Sequence, residues 1–490
     1  MKQVFSTSKG IKVIEVPPPL LEKGNILVEV SYSFISSGTE MATLKAMEPK
    51  GFSDNLIQSK ERLKKLVKFF NEKGIKKTIS IISQRITADE TTSNRLVPIG
   101  YCCSGTIVAI GEGVSIFSLG DKVACAGAGK ATHSELVLVG ENLCVKIPTG
   151  CDMKSASSVA VGSIAMNGVR NADVRLGEFV AVIGLGLVGL ITTRLLKIAG
   201  CRVIGYDIDP IRIEQAKQIG VDEAFSDHGE FISKINLLTK NMGVDKSIIT
   251  AASRSKSIIT TVMEITRKRG RVVAVGFIPM DIDENPFMKK EIEFIGSTSY
   301  GPGRYDDRYE EKNVDYPYAF VRWTEKRNMA EYLRLIAEKH IDLFSFLDSK
   351  AFPVKSAKNA YKILKEGNTE SVGFFIEYIS DTSLNDKLNT KVEVSGKYKT
   401  NKINIGIIGA GSFIKEMYFP NLKKINDIVN IQAIVNKRGH SAIQIAKEQN
   451  ANYASTSIND ILNDKNIDAV IIATRHNTHA DLALKALESG

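Results

Sequence analysis

Short apolar runs separated by turn residues fill most of the first 170 positions: Ile26-Leu27-Val28-Glu29-Val30, Gly105-Thr106-Ile107-Val108-Ala109-Ile110-Gly111 and Lys122-Val123-Ala124-Cys125. Runs of this length and spacing predict an antiparallel β domain. Between them Leu56, Leu63, Leu66, Val67 and Phe70 recur at helical spacing until Gly74 breaks the run. That pattern predicts a helical hairpin inserted over residues 45–95. From Gly177 the pattern changes to strand–helix alternation. Phe179-Val180-Ala181-Val182-Ile183 is almost wholly apolar, as expected of a strand covered by helices on both faces, and strands recur at 202–206, 246–250 and 271–275. The prediction is a doubly wound parallel sheet. A polar, Tyr- and Arg-rich stretch follows from Tyr300 to Asn328, and the last strand-like run of this part is Phe374-Phe375-Ile376-Glu377-Tyr378. Ser380 to Lys402 has few large apolar residues and reads as an exposed linker, and a second α/β pattern starts at Ile403.

Two glycine fingerprints sit at strand-to-helix junctions of these patterns. In the first, Gly184 permits the tight turn and Gly186 lets the backbone approach a pyrophosphate. Gly189 permits close helix–strand packing. The helix opening at Leu187 and Val188 turns its free N–H groups and positive dipole end toward the phosphates. Asp207 ends the next strand at the spacing expected of an acid that accepts the ribose hydroxyls and repels a 2′-phosphate, so NAD is favoured over NADP here. Gly276, after the strand at 271–275, is assigned to the same cofactor site. The second fingerprint is Gly409-Ala410-Gly411, with Ile414 at the third glycine position. Its second strand ends at Asn436-Lys437-Arg438 without an acid, which leaves NADP open at this site. The run Ala469-Val470-Ile471-Ile472-Ala473-Thr474 is similar to the stretch on the nicotinamide side in the glucose–fructose oxidoreductase/inositol dehydrogenase family, and that likeness implies Thr474 as the other cofactor residue there.

A chain of 490 residues exceeds what one core serves, so two or three domains are expected. The net charge is +10, and part of the excess lies in Lys60, Arg62, Lys64, Lys65, Lys68, Lys73, Lys76 and Lys77. A solvated helical face accounts for such a run; attraction of a phosphorylated or nucleotide-linked sugar is the sharper alternative. No aromatic or basic recognition motif accompanies the charge, which argues against nucleic acid. The N-terminus carries no signal-peptide pattern and no run is apolar enough to span a membrane. The six cysteines lack the spacing of a disulfide framework, so a reduced, cytoplasmic protein is the expectation.

The β domain with Gly120-Asp121-Lys122-Val123, followed by this Rossmann pattern, resembles the medium-chain dehydrogenase/reductase superfamily over residues 1 to about 378. The resemblance implies an α/β protein with a GroES-like catalytic domain at 1–170 and a Rossmann NAD-binding domain at 171–299. It also implies a cleft insertion with return to the catalytic domain at 300–378, a linker at 379–402, and substrate bound over the nicotinamide. Zinc-dependent relatives place a Cys where this chain has Ser37, and Gly-His-Glu where it has Gly100-Tyr101-Cys102. The third ligand falls in Ser158-Val159-Ala160-Val161-Gly162, which has no ligating side chain. The stretch between Gly111 and Gly120 is too short for a structural zinc lobe. No metal site, and so no zinc, is expected. Hydrogen-bond or proton donors must then stabilise the reacting oxygen. Thr39 matches the family's proton-relay hydroxyl, Tyr101 stands at a ligand position, and Glu40 matches an acid that supports the metal site. Tyr300 and Arg304, in Ser297-Thr298-Ser299-Tyr300-Gly301-Pro302-Gly303-Arg304-Tyr305-Asp306, are the remaining catalytic candidates.

Together with the insertion, that run resembles a narrower group, the bacterial bi-domain oxidoreductases associated with surface polysaccharide biosynthesis. Residues 403–490 resemble the N-terminal half of the glucose–fructose oxidoreductase/inositol dehydrogenase family. Relative to that family the second domain stops before its Glu-Lys-Pro motif, so an incomplete second Rossmann domain is expected, with a companion chain left open. The resemblances imply an NAD(P)-dependent oxidoreductase acting on an alcohol or carbonyl of a sugar-like small molecule, in a homo-oligomer. A zinc-less reductase of conjugated carbonyls and a non-catalytic NAD-binding remnant remain as alternatives.

Overall fold

The computed structural model describes residues 1–38, 40–41, 95–367, 370–379, 383–395 and 401–490. Thr39 and all of the expected helical insertion except Arg95 lie outside the described residues. Strands β1 (Lys2–Thr7), β2 (Gly10–Glu15), β3 (Asn25–Ser36), β4 (Val97–Pro98), β5 (Cys102–Ile110), β6 (Lys122–Ala126), β7 (Leu136–Gly140) and β8 (Cys144–Lys146) come first. Helix α1 (Val159–Ala172) leads into β9 (Phe179–Ile183), α2 (Leu187–Ile198), β10 (Arg202–Tyr206), β11 (Glu223–Phe225), β12 (Val244–Ile249), β13 (Thr266–Ala274) and β14 (Glu293–Gly296). Beyond the polar loop come α3 (Glu325–Ala337), β15 (Ala351–Pro353) and β16 (Gly373–Glu377). The last described elements used below are β17 (Lys391–Glu393), β18 (Ile403–Ile408), β19 (Val429–Val435), α4 (Gly439–Glu448), β20 (Tyr453–Ser455) and β21 (Ala469–Ile472).

The elements fall into two compact units. The larger comprises Pro19–Met41 and Gly100–Lys387. Its β domain is a sheet in the order β15-β16-β3-β5-β6-β8, with β7 also on β3. All the pairings are antiparallel except that of β15 with β16. Its second sheet runs β11-β10-β9-β12-β13-β14, all parallel. Counted from β9, that is the order 3-2-1-4-5-6 of a Rossmann sheet, with the switch between β9 and β12. Leu187, Leu190, Ile191, Leu195 and Leu196 are buried along α2, which is covered around most of its circumference. Each such side chain stabilises the fold by about 1.5–3 kcal/mol relative to exposure.

The smaller unit comprises Met1–Pro18, the described part of Ala42–Ile99, and Leu388–Gly490. Its main sheet runs β17-β20-β19-β18-β21, with β17 antiparallel to β20. The first 18 residues therefore pack with the C-terminal Rossmann pattern, not within a single domain of residues 1–170. Thr456 Oγ1 donates to Pro18 O at 2.7 Å, Leu96 N donates to Gln444 Oε1 at 3.2 Å, and the Phe5 and His440 rings lie 6.1 Å apart. The stretch expected to be a plain linker contributes β17, so it is part of this unit's sheet. Among the described residues no helix is long and apolar enough to cross a membrane.

Candidate active site

The first glycine turn stands where the carboxyl ends of β9, β12 and β13 converge. Gly184 has φ +96° and donates its N–H to Tyr206 O at 2.8 Å. A Cβ on Gly184 would lie 2.5 Å from Ala251 N, and one on Gly276 would lie 2.0 Å from Ala251 O. Both glycines thus let three strand ends close around one residue. A Cβ on Gly189 would lie 1.9 Å from Gly184 O, so only glycine lets α2 sit against the turn, whereas Gly186 faces open space. Gly186 is the N-cap of α2 and makes no side-chain cap, so the first-turn N–H groups of Leu187, Val188 and Gly189 have no helical acceptor. Asp207 Oδ2 accepts from Leu185 N at 2.6 Å and Oδ1 from Asp209 N at 3.0 Å. The carboxylate is thereby pinned to the rim of the turn. Open space at Gly186, a donor-rich helix end and a fixed acid suit a dinucleotide: α2 would hold the pyrophosphate and Asp207 the ribose hydroxyls.

At the positions that the resemblance matches to zinc ligands, Ser37 is hydrogen-bonded and Tyr101 and Cys102 are buried. Ser37 Oγ donates to Val372 O at 2.8 Å. Tyr101 is buried beside Cys102, and its carbonyl accepts from Gly127 N at 2.9 Å. Burial, with Glu40 nearby, raises the Cys102 thiol well above its ordinary range. Behind them lies a buried polar chain that sequence reasoning missed. Glu40 Oε2 is 3.0 Å from His133 Nε2, His133 Nδ1 is 2.7 Å from Ser33 Oγ, and Ser33 Oγ is 2.8 Å from Tyr378 OH. Tyr361 OH donates to Glu40 Oε2 as well. Burial and Glu40 push the Tyr361 hydroxyl far above the usual phenol range. Glu40 alone was legible from its place beside Thr39; His133 has no metal-like spacing to any neighbour.

Tyr300 and Arg304 sit in the loop that leaves β14. Asn167 Nδ2 donates to Ser297 Oγ at 3.0 Å, and Asn328 Nδ2 to Tyr300 O at 2.9 Å, fastening this loop to α1 and α3. Ser299 and Tyr305 hold φ of 48° and 67°. Such strain in non-glycine residues persists only where the surroundings enforce it. Tyr300 is buried in the extended apolar cluster that also contains Tyr101 and Cys102. Arg304 Nη1 bonds Glu310 Oε1 at 2.5 Å, and its guanidinium lies 5.4 Å from the Tyr300 ring centre and 4.1 Å from that of Tyr305. Burial pushes the Tyr300 hydroxyl well above the ordinary phenol value. Among the described residues no group of three or more His, Cys, Asp or Glu side chains is placed to hold a metal.

In the other unit, Gly409 has φ +88°, and a Cβ there would lie 2.6 Å from Thr474 Cγ2. Gly411 faces open space, and Ala410 N donates to Asn436 Oδ1 at 2.8 Å. Thr474 Oγ1 lies 2.7 Å from Thr478 Oγ1. The turn has the shape of the first with an amide in place of the acid.

A Rossmann sheet with an acid-pinned glycine turn, joined to a β domain, defines a dinucleotide-dependent oxidoreductase. Residues 188–312 match the family described as zinc-binding dehydrogenase, and residues 403–490 match the oxidoreductase family with an NAD-binding Rossmann fold. A D-guloside 3-dehydrogenase of Escherichia coli (strain K12) is 28% identical over 254 residues, 51% of this chain and 69% of that protein. A 2-dehydro-3-deoxy-L-galactonate 5-dehydrogenase of Pseudoalteromonas atlantica is 24% identical over 325 residues, covering 61% and 85%. The crystal structure of 2R,3R-butanediol dehydrogenase from Bacillus subtilis shares the fold at a TM-score of 0.55 and 18% identity, over 77% of this chain and 99% of that one. The chain is a bi-domain oxidoreductase, with a medium-chain dehydrogenase module followed by an NAD-binding module of the glucose–fructose oxidoreductase/inositol dehydrogenase type. It is an NAD(P)-dependent oxidoreductase.

Proposed function

We propose that the first module is an NAD-preferring dehydrogenase that works without zinc on an alcohol or carbonyl of a sugar or sugar-derived small molecule. The observation that carries this reading is the pairing of an acid-pinned cofactor turn with side chains of the wrong chemistry at the zinc positions. Ser37 spends its hydroxyl on Val372 O, and serine is a poor zinc ligand even when free. Two relatives named as dehydrogenases of a guloside and of a sugar acid support the substrate class. A role in surface polysaccharide assembly, in the cytoplasm, rests on the resemblance to the bi-domain group.

Bound NAD supplies a hydride acceptor or donor. The chain's own residues would orient it: Asp207 would accept from the ribose hydroxyls and the N-terminus of α2 would hold the pyrophosphate. When a carbonyl is reduced, its carbon would take hydride from the nicotinamide and its oxygen a proton from a protein hydroxyl, which solvent then reprotonates. Tyr300, Tyr101 and Thr39 are the candidates for that transfer. Tyr300 is the strongest of them, because its buried hydroxyl has no other hydrogen-bond partner. Its raised pKa keeps it protonated, which suits a donor to a carbonyl oxygen.

The test is zinc content measured on the same purified sample that is assayed for NAD reduction on a panel of sugars and polyols. The reading expects well under one zinc per chain and turnover insensitive to chelators. Stoichiometric zinc, with activity lost on chelation and restored by the metal, would overturn it.

A further inference from the structure

Five of the ten buried side-chain polar atoms without a hydrogen-bond partner among the described residues belong to four neighbouring residues. They are the Tyr300 hydroxyl, Arg304 Nε, Asn328 Oδ1 and both carboxylate oxygens of Glu325. Each such atom costs about 1–3 kcal/mol when left unpaired, so their concentration in one place calls for a physical reason. Glu325 and Asn328 are both 0% exposed and stand three residues apart on α3, on one face of the helix. Backbone-directed bonds fix the frame: Glu325 N donates to Pro302 O at 2.8 Å and Asn328 Nδ2 to Tyr300 O at 2.9 Å. The unpaired atoms are what that frame leaves over.

Their chemistry selects among ligands. Tyr300 and Arg304 offer donors, while Asn328 and Glu325 offer acceptors. An anion would meet the Glu310 carboxylate beside Arg304, and a cation would meet Arg304 itself. A hydroxyl group gives one hydrogen bond and accepts others, so several on adjacent carbons match a mixed set of this kind. We propose that Glu325, Asn328, Tyr300 and Arg304 form a recognition site for the hydroxyl groups of an uncharged polyhydroxylated substrate. This rests on the reading of the module as a dehydrogenase and names the substrate class of that same site.

Glu325 enters the site as a neutral acid. Burial and Glu310 push its carboxyl up to about 9, against the opposing pull of Arg304; the hydroxyls of Tyr300, Tyr309 and Tyr316 face it as well. A protonated carboxyl adds a third donor to the set. It also links the fold to pH: the neutral acid's contribution is complete below about 4.5, the ordinary value, and is lost as pH rises toward 9.

Trp323, the only tryptophan of the chain, lies two residues before Glu325. Its ring is flanked by the Arg170 and Arg322 guanidiniums at 3.1 and 3.6 Å from the ring centre. Its emission is the readout when the full chain, saturated with NAD, is titrated with sorbitol, galactitol, myo-inositol and methyl β-glucoside, with propan-2-ol as the hydroxyl-poor control. The expected result is saturable binding of at least one polyol. Its Kd should rise ten-fold or more in Glu325→Leu, rise much less in Glu325→Gln, which keeps a donor, and leave NAD affinity unchanged. Thermal unfolding serves as the second measurement: Glu325→Gln should be more stable than the wild type at pH 8.5 and equal to it at pH 4.5. No saturable response to any of the four polyols, or equal Kd in the wild type and Glu325→Leu, overturns the proposal. So does a stability difference that ignores pH. NAD-dependent turnover of propan-2-ol without polyol binding would overturn it while leaving the dehydrogenase reading intact. Polyol binding that depends on Glu325 but never reduces NAD would do the reverse.

Discussion

The glycine turns at Gly184 and Gly409 close with the same hydrogen bond made to different atoms. Leu185 N donates to the Asp207 carboxylate at 2.6 Å; Ala410 N donates to the Asn436 amide oxygen at 2.8 Å. Gly184 and Gly409 share a positive φ, and Gly186 and Gly411 both face open space. Shape therefore depends on an acceptor at the end of the second strand, while the charge of that acceptor is free to select the cofactor. The helices that follow diverge too. Gly189 packs directly on the first turn, whereas Ile414 begins a π-helical stretch, Ile414–Tyr418, after the second. Ile414, at the position of the third glycine, is buried at the start of that stretch.

Substitution at the third glycine should break the comparison most severely. Gly189→Val places side-chain atoms where even a Cβ would lie 1.9 Å from Gly184 O. Calorimetric titration should show NAD binding at the first turn reduced by at least about 100-fold, since overpacking here displaces backbone. Ile414→Val at the matching position should leave the second unit folded by circular dichroism. Next in size, Tyr300→Phe removes the unpartnered hydroxyl. Steady-state kinetics should show kcat lower by about 10- to 100-fold, with NAD affinity unchanged, as for loss of a proton donor. Asn436→Asp should then move the second turn's preference toward NADH over NADPH by about ten-fold, through repulsion of a 2′-phosphate, as read by nucleotide fluorescence.

The smallest expected effect belongs to His440, which burial first and Arg438 and Arg95 next hold down to a pKa of about 4. A neutral buried histidine contributes its full stability above its ordinary value near 6.5 and loses it as pH falls toward 4. Melting curves between pH 7 and 4 should therefore fall more steeply for the wild type than for His440→Gln. Parallel curves would count against the burial of this ring.

What the sequence disclosed and what it hid follow from the range of the interactions. The strand Phe179–Ile183 and the turn after it were legible because the strand, glycines, helix and acid all lie within 30 residues and each carries a local signal. The Glu40–His133 contact spans 93 positions, and nothing in the sequence near His133 marks it. The strand Lys391–Glu393 was hidden for a different reason: it is an edge strand held by its partner, with no apolar pattern of its own. The packing of Met1–Pro18 against the C-terminal unit was likewise invisible, because its partners, such as Thr456, lie more than 400 residues away. In the Tyr300 loop the chemistry was legible from composition, but Glu325 was not. Its distinction is a lack of partners, which only three-dimensional placement reveals.

The central claim is that the acid at the end of β10 makes the first turn an NAD site. Titration of the wild type and of Asp207→Asn with NADH and NADPH tests it most directly, because asparagine keeps an acceptor for Leu185 N while removing the charge, at the cost of the weaker bond from Asp209 N. The account predicts that the wild type binds NADH more tightly, and that the variant folds normally and loses about 10- to 100-fold of that preference, the scale of one charge–phosphate repulsion at a partly solvated site. An unchanged ratio in a folded variant would contradict it.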